Sequence, residues 1–184
     1  MYLLIAEWDE NNRPTKYNVA ANQQERDEKF SKMIEFYPSS FVVEMQSIEL
    51  QYMTVDPINK TVSFDDVQKR LDDLLPYLAG YRYGIETGGI TFNSVSIKTD
   101  RESRANLIAA RILAKEDVNY TVKWKTENGF AELDAAAVLA VAQAVSDHVQ
   151  KCFDVEADVA AQIEAGTLTD TDAVKAAFDT GMAA

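Results

Sequence analysis

Apolar positions along this 184-residue chain change period several times, from alternation to helical spacing and back. "YLLIAEWDENNRPTKYNVA" puts apolar runs on either side of Asp9, Asn11, Asn12 and Pro14, which predicts strand, polar turn, strand. Asn22 and Glu25 then have capping-box spacing, and Phe30, Met33, Ile34 and Tyr37 follow at helical intervals until Pro38. "FVVEM" and "LQYMTVDPINKTVSF" predict two or three short strands, with Asp56-Pro57 and Asn59 as turn residues. Ser63 and Asp66 mark a second helix start, whose apolar face is Val67, Leu71, Leu74, Leu75 and Leu78. Pro76 predicts a kink near its end and Gly80 its stop, so residues 1–80 are expected to form a small α+β unit.

Residues 81–184 are expected to form a second α+β unit. In "GGITFNSVSIKTDRES" a two-residue turn at Asn93-Ser94 would set Phe92 opposite Val95 and Ile90 opposite Ile97, all on one face. Thr99 and Glu102 have capping-box spacing before "RESRANLIAARILAKED", whose Leu107, Ile108, Ile112 and Leu113 are expected to pack inward. A second hairpin, "YTVKWKTENGFAEL", carries Asn128-Gly129, and a turn there would place Trp124 across from Leu133 and Lys125 across from Glu132. Asp134 would cap a helix over about 135–164, roughly 45 Å long at 1.5 Å per residue. Gly166 ends it, and a Thr169–Asp172 capping box opens a terminal helix that stops before Gly181.

The long helix holds the few residues that suggest chemistry. At about 100° per residue, Val138, Val141, Val145, Val149, Cys152, Val159 and Ile163 form one stripe, with Phe153 toward its edge and His148 about 60° to one side, a face suited either to the chain's own core or to association with a copy or partner. Cys152 and His148 are the chain's only cysteine and histidine. Zinc takes three or four ligands, so a metal site built on this pair would need carboxylates to complete it. A nucleophilic thiolate needs an electropositive, accessible setting, whereas this cysteine lies on the apolar stripe of an acidic helix. Both residues therefore read as packing, His148 hydrogen-bonding a neighbouring element. Glu156 falls near the middle of the stripe, where a carboxylate needs a partner. Arg101, Arg104 and Arg111 are candidates, as is a polar oligomer axis; alternatively the helix leaves the core near Asp154 and Glu156 is wet.

Composition narrows the class. Thirty acidic against 18 basic residues give a formal charge of −12 with no local basic face, which argues against nucleic acid and anionic membranes as partners. A lone cysteine closes no intramolecular disulfide. "MYLLIAEWDE" lacks the features of a secretory signal, and the Ala-rich run Leu133 to Val145 is too short to span a membrane. The pairs Asp65-Asp66 and Asp72-Asp73 read as a solvated helix face, "DENNR" lacks the closing residues of a calcium loop, and "GYRYGIETGG" reads as a turn rather than a phosphate cradle. No cofactor is implied.

Residues 82–165 resemble a domain of unknown function found in tail proteins of tailed bacteriophages. The likeness rests on Glu86, Gly89 and Ile90 at the hairpin entry, "IKTDRES" before an Ala-rich helix, "VKWKTENGFAEL" and "HVQKCFDVE". "AEWDENNRP" and "VDPINKTVSF" add a weaker similarity to phage fibre and spike adaptor segments. The resemblance implies a virion protein made in the bacterial cytoplasm: a non-enzymatic fibre, adaptor or appendage subunit contacting other tail proteins. It would form a homo-oligomer, trimeric if part of a fibre. A tail-fibre assembly chaperone absent from the mature virion is the alternative, and a small glycan-acting hydrolase using two carboxylates is a third class.

Overall fold

The structure is a computed structural model that describes every residue except Glu127 and Asn128. It is α+β, and its described residues part into two compact units, Met1–Lys69 and Arg70–Ala184.

In the first unit β1 (Tyr2–Trp8) is the centre of a three-stranded antiparallel sheet, flanked by β2 (Pro14–Ala20) and β3 (Phe41–Glu44). Asp9 accepts from the backbone N–H groups of Asn11 and Arg13, and Asn12 takes a positive φ, which closes the polar turn. One sheet face packs Leu4, Ala6 and Ala20 on Phe30 of α1 (Gln23–Phe36), capped by Asn22. The other packs Leu3, Ile5 and Phe41 on Met53 and Val55 of the hairpin β4 (Met53–Asp56) and β5 (Thr61–Phe64). Because β1 is covered on both faces, its run Leu3–Ala6 is continuously apolar rather than alternating.

The next helix, α2 (Asp66–Thr87), differs from expectation at both ends. Its cap is Asp65, which accepts from the Gln68 N–H, while Ser63 is a strand residue. It runs through Pro76, Gly80 and Gly84 rather than stopping at Gly80. A helical glycine costs about 1 kcal/mol relative to alanine, and here packing on both sides of it outweighs that cost. Leu74 and Leu78 are core residues of the second unit, and Tyr81 and Ile85 pack against the same cluster. Residues 70–80, expected in the first part because the helix pattern stops at Gly80, belong to the second unit.

The second unit continues with the hairpin β6 (Ile90–Phe92) and β7 (Val95–Ile97), then α3 (Arg101–Glu116), the hairpin β8 (Thr121–Thr126) and β9 (Gly129–Asp134), α4 (Ala135–Glu164) and α5 (Thr171–Ala183). Asn93 and Ser94 both have positive φ, and Phe92 pairs with Val95 and Ile90 with Ile97, as the alternation predicts. In β8–β9 the register is two residues away from the expected one: Trp124 pairs with Ala131, and Lys123 rather than Lys125 faces Glu132. The expected Asn128-Gly129 turn lies in part outside the described residues; Gly129 itself opens β9 with positive φ. A shift of two keeps the same face inward, so Val122, Trp124 and Leu133 still reach the core.

Two further caps differ. Asp100, not Thr99, caps α3 by accepting from Ser103, and Asp170, not Thr169, caps α5, which includes Gly181. An added Cβ on Gly181 would lie 2.7 Å from a Val155 methyl, so α5 sits on α4 at glycine distance. Asp134 caps α4 at the expected position.

Candidate functional site

The α4 stripe is covered within its own chain. Its first half, Val138, Val141, Ala142 and Val145, packs with Leu107, Ala110 and Ala114 of α3 and with the two hairpins. Its second half, Cys152, Val155, Val159 and Ile163, packs with Leu74 and Leu78 of α2 and Val174 and Phe178 of α5. Val155 belongs to the buried set although the wheel left it out; Val149 is half-buried and Phe153 exposed. The polar site lies where these halves meet.

Four charged side chains converge there. Arg82 and Glu86 sit one turn apart on α2 and are ion-paired through Nη1 and Oε2. Arg104, from the first turns of α3, reaches the other Glu86 oxygen at 2.6 Å, and Arg82 uses its Nε to hold Glu156 of α4 at 3.1 Å. Their side chains are 5% (Glu86), 14% (Arg82), 22% (Glu156) and 26% (Arg104) exposed. Two anions meet two cations, so the desolvated charges are compensated, which is the condition for tolerating such a set in a core. The Arg82 guanidinium also lies 4.6 Å from the Phe153 ring centroid, giving that exposed ring a cation to stack on.

The backbone next to Glu86 is fixed as well. Fully buried Thr99 donates its hydroxyl to the Glu86 carbonyl at 2.6 Å and accepts from the Gly89 N–H at 2.9 Å. One side chain thus serves an orphan carbonyl near the end of α2 and the donor that follows it. Gly89 has φ +94, and a Cβ there would meet the Ile97 carbonyl oxygen at 3.0 Å.

His148 and Cys152 line the same junction. His148 Nε2 is 3.1 Å from the Ile85 carbonyl of α2 and 3.8 Å from the Cys152 sulfur. A carbonyl only accepts, so Nε2 carries the proton and has no lone pair for the thiol. Burial pushes the Cys152 thiol up, and the negative charges of Glu86 and Glu156 push the same way against Arg82. The pair lacks the geometry and the field of a thiolate–imidazole couple. Among the described residues no group of three His, Cys, Asp or Glu is placed to hold a metal ion.

Of the three arginines expected beside Glu156, Arg104 enters the network but binds Glu86, while Arg101 is exposed and Arg111 half-buried, and among the described residues neither forms an ion pair with Glu156. The partner is Arg82. It and Glu86 lie in "GYRYGIETGG", which its glycines mark as a turn but which is helical through Thr87. The i,i+4 spacing of Arg82 and Glu86 is the signal that was present and outweighed. A second correction concerns α3, where Leu107 is buried as expected but Ile108, Ile112 and Leu113 are 61%, 54% and 48% exposed. Its buried contacts are made by Leu107, Ala110 and Ala114, so the inward face is turned away from the isoleucines. Between α3 and α4 an open groove of about 290 Å³ is lined by Arg104, Ile108, Arg111, Val145, Val149 and Gln150.

Fold and site define an α+β helical domain locked by a buried four-charge network. The family model described as "Domain of unknown function (DUF4376)" matches residues 69–179, and the chain belongs to that family. That match covers nearly all of the second compact unit and the whole network. No curated protein and no solved structure matches the chain. No helix among the described residues is long and apolar enough to cross a membrane.

Proposed function

We propose that the protein is a non-enzymatic structural subunit of a bacteriophage tail, a fibre, adaptor or appendage component that acts through contacts with other tail proteins. One observation carries the contact role. The second unit spends its buried charges on one another and leaves large apolar side chains of α3 facing outward. The tail context is supported by the resemblance over residues 82–165. A carboxylate pair for sugar hydrolysis needs two acids facing an open cleft. Glu86 and Glu156 share Arg82, and both Glu86 oxygens are taken by guanidinium donors, one from Arg82 and one from Arg104.

Mass spectrometry of purified virions, with immuno-electron microscopy to locate the chain, tests the reading. Stoichiometric presence in the tail is expected, and absence from mature particles overturns it. Absence combined with co-purification with an immature fibre would instead favour an assembly chaperone, a role that the net charge of −12 also suits.

A further inference from the structure

We propose that the outward crest of α3 is a self-association surface, on which a second copy of this chain lays its own α3 antiparallel about a two-fold axis. The inference concerns how the chain meets a copy of itself and does not depend on a place in a tail.

Opposite the buried Leu107, Ala110 and Ala114, the helix carries Arg101, Ala105, Ile108, Ala109, Ile112 and Glu116 along one face, and all six are exposed. The face is apolar between two ends of opposite charge. Two exposed isoleucines one turn apart, flanked by Ala105 and Ala109, form an apolar ridge of the kind that marks an interaction site. Ala105 and Ala109 leave room for a second helix to approach closely.

The charges choose the occupant. In an antiparallel pair Arg101 meets the partner copy's Glu116 and Ala105 meets its Ile112, while Ile108 meets Ala109; two-fold symmetry makes each contact twice. Large side chains then oppose small ones throughout. In the same register Glu102 falls near Lys115. A parallel pair would instead set Arg101 against Arg101 and Glu116 against Glu116. None of these four charged side chains has an ion-pair partner among the described residues. Arg101 in the first turn and Glu116 in the last are also placed against the helix dipole, which favours anions at the N-terminus and cations at the C-terminus. An antiparallel copy supplies each with the opposite charge that its own helix withholds. At 16 residues, about 24 Å, the crest is short of a standard interface, so the dimer is expected to dissociate on dilution.

Sedimentation velocity on the full chain from about 1 to about 500 μM, the range over which a small interface titrates, tests this. A concentration-dependent dimer is expected. Ile112→Glu should abolish it without changing the circular dichroism, because residue 112 is already exposed. Arg101→Glu and Glu116→Arg should each weaken it at least about tenfold, since each turns two attractive contacts into two repulsive ones. Both single changes improve the match to the helix dipole, so weakened association cannot be put down to a damaged fold. The double variant should restore the dimer to within about threefold of the parent. A monomer at all concentrations, a dimer that survives Ile112→Glu, or a double variant as weak as the singles overturns the proposal.

Discussion

Replacing Glu86 by glutamine keeps the side chain's shape and removes one negative charge from a set of two anions and two cations. Glu86 takes both guanidinium groups, Arg82 on one oxygen and Arg104 on the other. In its absence two cations face a neutral amide, with Glu156 alone to balance them. Removing one partner of a fully buried pair costs about 3–5 kcal/mol. Arg82 and Arg104 keep 14% and 26% of their side-chain surface, so water relieves part of the imbalance and the lower end applies, about 3 kcal/mol. Urea unfolding followed by Trp124 in a Trp8→Phe background reports on the second unit alone. At a slope of about 1.5 kcal/mol per molar, the midpoint should fall by about 2 M. Glu156→Gln should cost only about 1 kcal/mol, since it loses a single contact at a wetter position. The quadruple change Arg82→Met, Glu86→Leu, Arg104→Met, Glu156→Gln should cost less than Glu86→Gln, because it leaves neither a buried cation nor the Glu156 carboxylate without its counter-charge. A midpoint shift below about 0.5 M for Glu86→Gln would refute the reading of this cluster as a desolvated, mutually dependent set.

Other outcomes follow from single sites. Gly80→Ala should stabilise the chain by about 1 kcal/mol in urea unfolding, as a mid-helix glycine with open space around its Cβ position. Gly181→Ala should lose stability through the 2.7 Å approach to Val155, and adding Val155→Ala should make the alanine at 181 tolerated, a coupling read from a double-mutant cycle. Cys152 should resist iodoacetamide in the native chain at pH 8 and react once urea unfolds it, because burial and nearby carboxylates hold its thiol up; rapid native labelling would contradict this. On α5 the Lys175 ammonium, then the Tyr81 hydroxyl, hold Asp179 below its ordinary 3.8. A depressed carboxyl contributes stability above 3.8 that is lost as pH falls through the lowered value, so Asp179→Asn should flatten the acid limb of thermal stability below about pH 4.

The sequence pattern carried most of the local structure and little of the site. The alternation of β6–β7, the Asn22 and Asp134 caps and the Asn93-Ser94 turn are local signals, and each lies where its pattern puts it. The misplaced features are those in which distant packing outweighs a local preference. Gly80 looks like a helix stop, yet Tyr81, Ile85 and Glu86 have partners that keep the helix going. Thr99 has the spacing of a cap, yet its hydroxyl is drawn into the core by the Glu86 carbonyl, leaving Asp100 to cap. In α3 a wheel with apolar residues on two sides does not say which side turns inward. The alanines went in because α4 approaches closely there, and the isoleucines were left outside. Glu156 was recognisable as a carboxylate needing a cation, but its partner lay in a segment whose glycines masked its helical spacing.

The continuation of α2 past Gly80 bears on the order in which the chain can fold as it is made. Arg70 bonds the carbonyl of Ile163, Ile85 accepts from His148, Arg82 holds Glu156, and Tyr81 donates to Asp179. Every one of these partners lies 60 or more residues downstream. At about 5–20 residues per second, residues 80–87 emerge from the ribosome seconds before these partners in α4 and α5 exist, with Thr99 and Arg104 nearer at hand for Glu86 alone. The first unit can be complete sooner, since its partners lie within residues 1–69. Synthesis therefore imposes an interval in which a finished N-terminal unit trails an unfinished α2 with Leu74 and Leu78 uncovered, and a stall in translation of α4 is when this chain is most open to aggregation or to capture by a chaperone.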